Sequence, residues 1–163
     1  ISFRMEAAAE QPEALDTRAE TAERAPGQLA PLRILVVDDT ATNRMVADLM
    51  LSAVGHNVVA ATGGEDALAQ LAAGPFDLVL MDIQMPDLDG LSALKRIRRS
   101  GQSWSDLPVI AMTADAMPEK RAHYLGAGMT GYVAKPVDRR ALLDEIDRVI
   151  ARHRAPETQI RSA

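Results

Sequence analysis

Cysteine is absent from all 163 residues, which excludes disulfide and thiolate chemistry and leaves the cytoplasm as the default compartment. Aromatic residues are almost as scarce, at 3% against 47% hydrophobic residues overall. That composition supports a full core, but an aliphatic one. No apolar run approaches the roughly 18–20 residues a membrane helix needs, so no membrane segment is expected in this chain. A signal peptide is not expected either, because the first residues are mixed and acidic. The net charge of −5 argues against nucleic acid as a direct ligand. The chain opens on Ile1 rather than Met, from which a piece of a longer protein is expected.

Large apolar side chains are also missing from residues 6 to 31, where only Leu15 and Leu29 occur among Ala, Glu, Pro, Thr, Gln and Arg. So little to bury cannot offset the entropy of ordering, and residues 1–31 read as a flexible acidic linker. Three Arg against six acids give this stretch −3, leaving −2 for the rest. The acidity of the chain is therefore mainly a linker property. The folded unit is expected over residues 32–153. Residues 154–163 read as a C-terminal tail with no periodic pattern and no assigned structure.

Within the folded unit, short apolar runs alternate with segments of helical period. Ile34 to Val37, Asn57 to Ala61, Leu78 to Met81, Pro108 to Met112 and Gly131 to Ala134 have the length and character of buried strands. Val46, Leu49, Met50, Ala53 and Val54 fall on one helical stripe that Gly55 closes. Thr62 reads as the cap of a helix carrying Ala67, Leu68 and Leu71. Leu91, Leu94 and Ile97 mark a third helix, Pro118 to Leu125 a fourth, and Asp138 caps a fifth with Leu142, Ile146, Val149 and Ile150 on one face. Five strands alternating with five helices predict an α/β, doubly wound five-stranded parallel sheet.

Polar residues stand at the ends of these strands. Asp38 and Asp39 follow the first, Asp82 ends the third, Thr113 the fourth and Lys135 the fifth. In a parallel sheet all these ends lie on one edge, so the five residues converge. Carboxylates gathered at about 5 Å, with an effective dielectric of about 20, repel by on the order of 3 kcal/mol per pair. One Lys does not balance that, whereas a hard divalent cation such as Mg2+ does. Lys135 suits gripping one phosphoryl oxygen, and the Thr113 hydroxyl can donate to another. The set predicts a metal-assisted phosphoryl site with Asp82 as acceptor.

These residues, with Met85-Pro86 before Asp89-Gly90, Thr113-Ala114, Tyr132 and Lys135-Pro136, make residues 33–152 resemble the receiver domain of two-component response regulators. The resemblance implies a flavodoxin-like sheet with strand order 2-1-3-4-5. It implies phosphoryl transfer from phosphohistidine to Asp82, with Thr113 and Lys135 assisting. Mg2+ would be held by Asp39, Asp82 and the backbone carbonyl of Gln84, with Asp38 acting through water. A cis Lys135-Pro136 peptide is implied too, as is a Thr113–Tyr132 switch read out by the fourth helix, fifth strand and fifth helix. The implied partner is the dimerisation and phosphoacceptor domain of a histidine kinase or a histidine phosphotransfer protein.

Ile1-Ser2-Phe3-Arg4-Met5 is similar to the closing strand of a histidine-kinase ATP-binding domain. Asn43-Arg44 and the wording Met81-Asp82-Ile83-Gln84-Met85-Pro86 are similar to receivers fused to kinases. A receiver from a hybrid histidine kinase, whose parent could be membrane-anchored, is therefore expected over a free-standing regulator. A degenerate receiver serving as a constitutive binding module is the alternative of another class. Gly126 to Gly131 fits G-x-G-x-x-G but runs from helix into strand, the reverse of a phosphate loop, and reads as a helix stop. The basic run Lys95, Arg96, Arg98 and Arg99 reads as solvated surface.

Overall fold

The computed structural model describes residues 30–115 and 117–162, with side chains described as far as His153. The expected kinase-like segment, residues 1–5, and the linker up to residue 29 lie outside the described residues. Strands β1 (Arg33–Val37), β2 (Asn57–Ala61), β3 (Leu78–Asp82), β4 (Val109–Thr113) and β5 (Gly131–Ala134) alternate with helices α1 (Ala41–Ser52), α2 (Gly64–Ala73), α3 (Gly90–Arg99), α4 (Pro118–Gly126) and α5 (Arg139–Ser162). The strands form one parallel sheet in the order β2-β1-β3-β4-β5. The expected architecture and strand order are both present.

Apolar runs form the central strands because both sheet faces are covered. Along β1, Leu35 and Val37 enter one core layer and Ile34 and Val36 the other, as the two-residue period of a strand requires. Val79 and Met81 join the first layer from β3, with Leu78 and Leu80 in the second. Helices α2, α3 and α4 supply Leu71, Leu94, Ile97 and Tyr124 to the first layer. The second is closed by Ala47 and Leu51 of α1 and Leu142, Ile146 and Val149 of α5. Asp138 caps α5 as expected, its carboxylate accepting the Ala141 amide at 2.9 Å.

Four local expectations need correction. The stripe expected to pack from α1 is not the buried one, since Val46 and Leu49 are 39% and 66% exposed while Ala47 and Leu51 are buried. Positions 47, 50, 51 and 54 also have helical spacing, so period alone does not choose. Polar ties to Asp38 accompany the observed rotation, with the Arg44 guanidinium donating to its carbonyl at 2.7 Å and the Asn43 side-chain amide to its carboxylate at 3.2–3.3 Å. Thr62 makes no helix cap; Asp66 reaches back to accept the Thr62 amide at 2.9 Å instead. Arg98 is not a solvated charge, for it donates to the carbonyls of Ser105, Leu107 and Gly128 at 2.7–2.9 Å and ties two loops together. Burial pushes its pKa below the ordinary guanidinium value, against the opposing pull of Asp106. The C-terminal residues given no structure continue α5 to Ser162.

The turn after β3 sets how closely α3 approaches the strand end. Asp89 caps α3 by accepting the Ser92 amide at 2.8 Å, and the Gly90 amide donates to the Ile83 carbonyl at 3.1 Å. A methyl at Gly90 would press on the Asp82 carbonyl and stand 2.9 Å from the Ile83 Cα. Gly90→Ala is expected to cost about 1–3 kcal/mol, the usual range for overpacking against atoms that cannot yield. Urea unfolding of the two proteins measures it, and equal midpoints would show that the turn relaxes freely.

Candidate functional site

Sheet register brings the expected residues to one edge. Asp38 continues from β1 with its amide donating to the Ala61 carbonyl at 3.2 Å, and Asp82 closes β3 opposite Met112. Thr113 closes β4 opposite Ala134. Lys135 follows β5, its amide held by the Thr113 carbonyl at 2.7 Å. The Lys135-Pro136 peptide is cis, as expected. Carboxylate oxygens of Asp38, Asp39 and Asp82 all lie within 4.8 Å of one another. Asp38 and Asp82 are buried, while Asp39 faces solvent.

The ammonium of Lys135 sits between the two buried acids, 2.9 Å from Asp82 Oδ1 and 3.1 Å from Asp38 Oδ2. Asp38 is further held by the Thr40 amide at 2.8 Å and by the Asn43 side-chain amide at 3.2–3.3 Å. Asp82 Oδ1 also accepts the Gln84 amide at 3.1 Å. Among the described residues no hydrogen bond or ion pair falls on Asp82 Oδ2, and no buried side-chain oxygen lacks a partner. Oδ2 is thus the oxygen left open to solvent and to an incoming electrophile.

Burial pushes the Asp82 pKa above the ordinary 3.8, and the Asp38 charge adds to the shift; Lys135 and the Gln84 amide reduce it without cancelling it. Burial works to lower the Lys135 pKa, but its hydrogen bonds to Asp82 and Asp38 outweigh that and hold it above 10.5. Lys135 is therefore charged wherever the acids beside it are. Two buried carboxylates and one exposed carboxylate against a single ammonium leave an excess of hard, negative oxygen, which suits a hard divalent cation.

Thr113 does not bond to Tyr132. Its hydroxyl donates to the Asp115 carbonyl at 3.1 Å, accepts the Asp115 amide at 3.0 Å and pairs with the Tyr124 hydroxyl at 3.1 Å. Tyr132 is half-buried, with the Arg121 guanidinium 5.0 Å from its ring centre and its backbone amide donating to Glu145 Oε2 at 2.9 Å. Sequence reasoning missed Tyr124 and gave Asn43 and Arg44 no contact with the acids. The available signal for Tyr124 was a single large ring on a short helix of otherwise polar or small residues apart from Leu125.

Residues 34–147 match the response regulator receiver domain family. The chain is similar to the CAI-1 autoinducer sensor kinase/phosphatase CqsS of Vibrio cholerae serotype O1, at 39% identity over 70% of this chain and 17% of the relative. It is similar to the sensor protein GacS of Pseudomonas syringae pv. syringae, at 38% identity over 78% of this chain and 15% of the relative. The chain thus spans less than a fifth of these relatives' length. Among solved structures it is similar to the Vibrio cholerae chemotaxis protein CheY4, with a TM-score of 0.68 and 31% identity over 74% of this chain and 99% of that one.

Burial, reinforced by the Asp38 charge, makes Asp82 a stability liability. Because its folded pKa lies above the ordinary 3.8, the folded state binds the proton more tightly than the unfolded chain does. Stability therefore falls as pH rises from about 3.8 through the folded value, and the full loss is present above it. In a chelating buffer at pH 7, Asp82→Asn is expected to melt several degrees higher than the wild type. That advantage should shrink as pH falls through the folded pKa. Melting curves from pH 4 to 8 test this, and a less stable Asn variant at pH 7 would contradict it.

Proposed function

This chain belongs to the response regulator receiver family, and from that membership we propose that Asp82 is its phosphoacceptor and takes the phosphoryl group from a phosphohistidine. Phosphoryl transfer onto Asp is the general function of the family, and the chain is a receiver of two-component signalling. The observation carrying the assignment is the asymmetry of Asp82, with Oδ1 engaged by Lys135 and Gln84 and Oδ2 left open. Oδ2 forms the new O–P bond while the P–N bond breaks and the imidazole leaves with its electrons. Lys135 then turns from Asp82 Oδ1 to a phosphoryl oxygen. Thr113 gives up the Asp115 carbonyl and donates to another.

The residues suited to hold Mg2+ are Asp39, Asp82 and the Gln84 carbonyl, with Asp38 acting through water; all are hard oxygen donors. When bound, Mg2+ offsets the charge that the carboxylates and phosphoryl oxygens bring together. Asp38 orients Lys135 and is itself fixed by Thr40 and Asn43.

The donor must bring its histidine to this edge, so its surface rests on the rim. There α1 exposes Met45, Val46 and Leu49 at 58%, 39% and 66%. A cavity of about 150 Å³ links Val46 to Asp38, Lys135 and Val137. An apolar helix stripe beside a charged site suits a helical partner carrying the phosphohistidine, from a kinase dimerisation domain or a histidine phosphotransfer protein. Likeness to short portions of two sensor proteins supports a hybrid histidine kinase as the parent. The upstream gene sequence decides between that and a free-standing regulator. Thr113 and Tyr132 form the switch, read out through α4, β5 and α5. The presence of all five site residues, Asp38, Asp39, Asp82, Thr113 and Lys135, argues against a degenerate binding module.

Acetyl phosphate with Mg2+ should add one phosphoryl mass to the wild type and none to Asp82→Asn, and chelation should abolish the gain. Transfer from a phosphohistidine protein should slow at least tenfold in Leu49→Arg while acetyl phosphate uptake stays unchanged. Intact-mass kinetics read both. Equal gain in the Asn variant would move the acceptor elsewhere, and an unaffected Leu49→Arg would remove α1 from the donor surface.

A further inference from the structure

We propose that Tyr124 is the positioning residue for Thr113. Its phenol holds the Thr113 hydroxyl back in the unphosphorylated protein, and its release passes the signal into α4. This rests on the reading of Thr113 as the hydroxyl that closes on the phosphoryl group.

The hydrogen-bond inventory of Thr113 carries the inference. A Thr hydroxyl has one proton and two lone pairs. In the resting structure all three are used, by the Asp115 amide, the Asp115 carbonyl and the Tyr124 hydroxyl, at 3.0–3.1 Å. To donate to a phosphoryl oxygen, the hydroxyl must turn away from this arrangement. The Tyr124 hydroxyl has no other hydrogen bond among the described residues, and Tyr124 is 5% exposed. Turning Thr113 therefore strands a buried phenol unless Tyr124 follows, so the Tyr124 bond favours the resting state.

The path outward is one helical turn long. Arg121 and Tyr124 stand three apart on α4, and the Arg121 guanidinium lies over the ring of Tyr132. One helix therefore holds Thr113 through Tyr124 and covers Tyr132 through Arg121. Tyr132 has no hydrogen bond of its own to Thr113 among the described residues. A displacement of Tyr124 moves α4, which in turn lifts Arg121 from Tyr132. The order of events is Thr113, then Tyr124 and α4, then Tyr132.

Titration of the whole chain with beryllium fluoride and Mg2+, a phosphoryl mimic, tests this. Tyr124→Phe keeps the ring and removes the bond, and is expected to tighten the apparent affinity roughly two- to tenfold, the scale of one neutral hydrogen bond. In a Thr113→Ala background the same change should have no effect, a non-additivity that a purely structural role would not produce. Affinity unchanged or weakened in Tyr124→Phe, with wild type binding through Asp82, would overturn the latch alone. Binding equal in wild type and Asp82→Asn would overturn it together with the phosphoacceptor reading. Ring signals of the chain's two tyrosines give a measurement free of the Phe variant. The Tyr124 signal should move on adduct formation in wild type and stay fixed in Thr113→Ala; equal movement in both contradicts the coupling.

Discussion

Two buried like charges held against one ammonium are the constraint on which this structure turns. Asp38 and Asp82 are brought side by side because β1 and β3 are neighbours in a parallel sheet and end at the same edge. Desolvation, with the Asp38 charge adding to it, pushes the Asp82 pKa upward, and Lys135 between them only partly relieves it. A site left short of positive charge is one that gains from a cation and from any chemistry that redistributes its charge.

On the proposed function, the fold around that pair separates entry from readout. The acids and the exposed stripe of α1 flank the edge on one side of the sheet, with α5 packed beside them. Thr113, Tyr124 and Tyr132 lie toward the other layer, with α4 reaching Thr113 through its Tyr124 and Tyr132 through its Arg121. Charge placed on Asp82 is thus felt by Thr113 across a single strand interval, since Asp82 pairs with Met112 in the next strand. The central strands are buried on both faces and cannot yield easily. The parts free to respond are side chains at the edge and the short helix α4.

Much of this was legible in the sequence, for a physical reason. Strands buried on both faces read as unbroken apolar runs, and a parallel sheet fixes which polar residue follows each run, so Asp38, Asp82, Thr113 and Lys135 could be brought together without coordinates. The packed stripe of α1 could not be chosen, because Val46-Leu49-Met50 and Ala47-Met50-Leu51 satisfy one period equally. What separates them is polar reach from the same helix, Arg44 to the Asp38 carbonyl and Asn43 to its carboxylate. Tyr124 was hidden because its bond to Thr113 spans 11 residues and depends on how α4 leans on the sheet. Arg98 was hidden because its partners are backbone carbonyls, which every residue has. Contacts set by strand topology are written in the chain; contacts set by helix rotation and long side-chain reach are not.

The central claim is that Lys135 and Thr113 exchange their resting partners for the phosphoryl group on Asp82. A crystal structure of the beryllium fluoride adduct with Mg2+ tests it most directly. The account predicts Lys135 Nζ and Thr113 Oγ1 each within hydrogen-bond distance of a fluorine, with the Thr113–Tyr124 bond broken. An adduct on Asp82 with Lys135 still bridging Asp38 and Asp82 and Thr113 still on Tyr124 would contradict it.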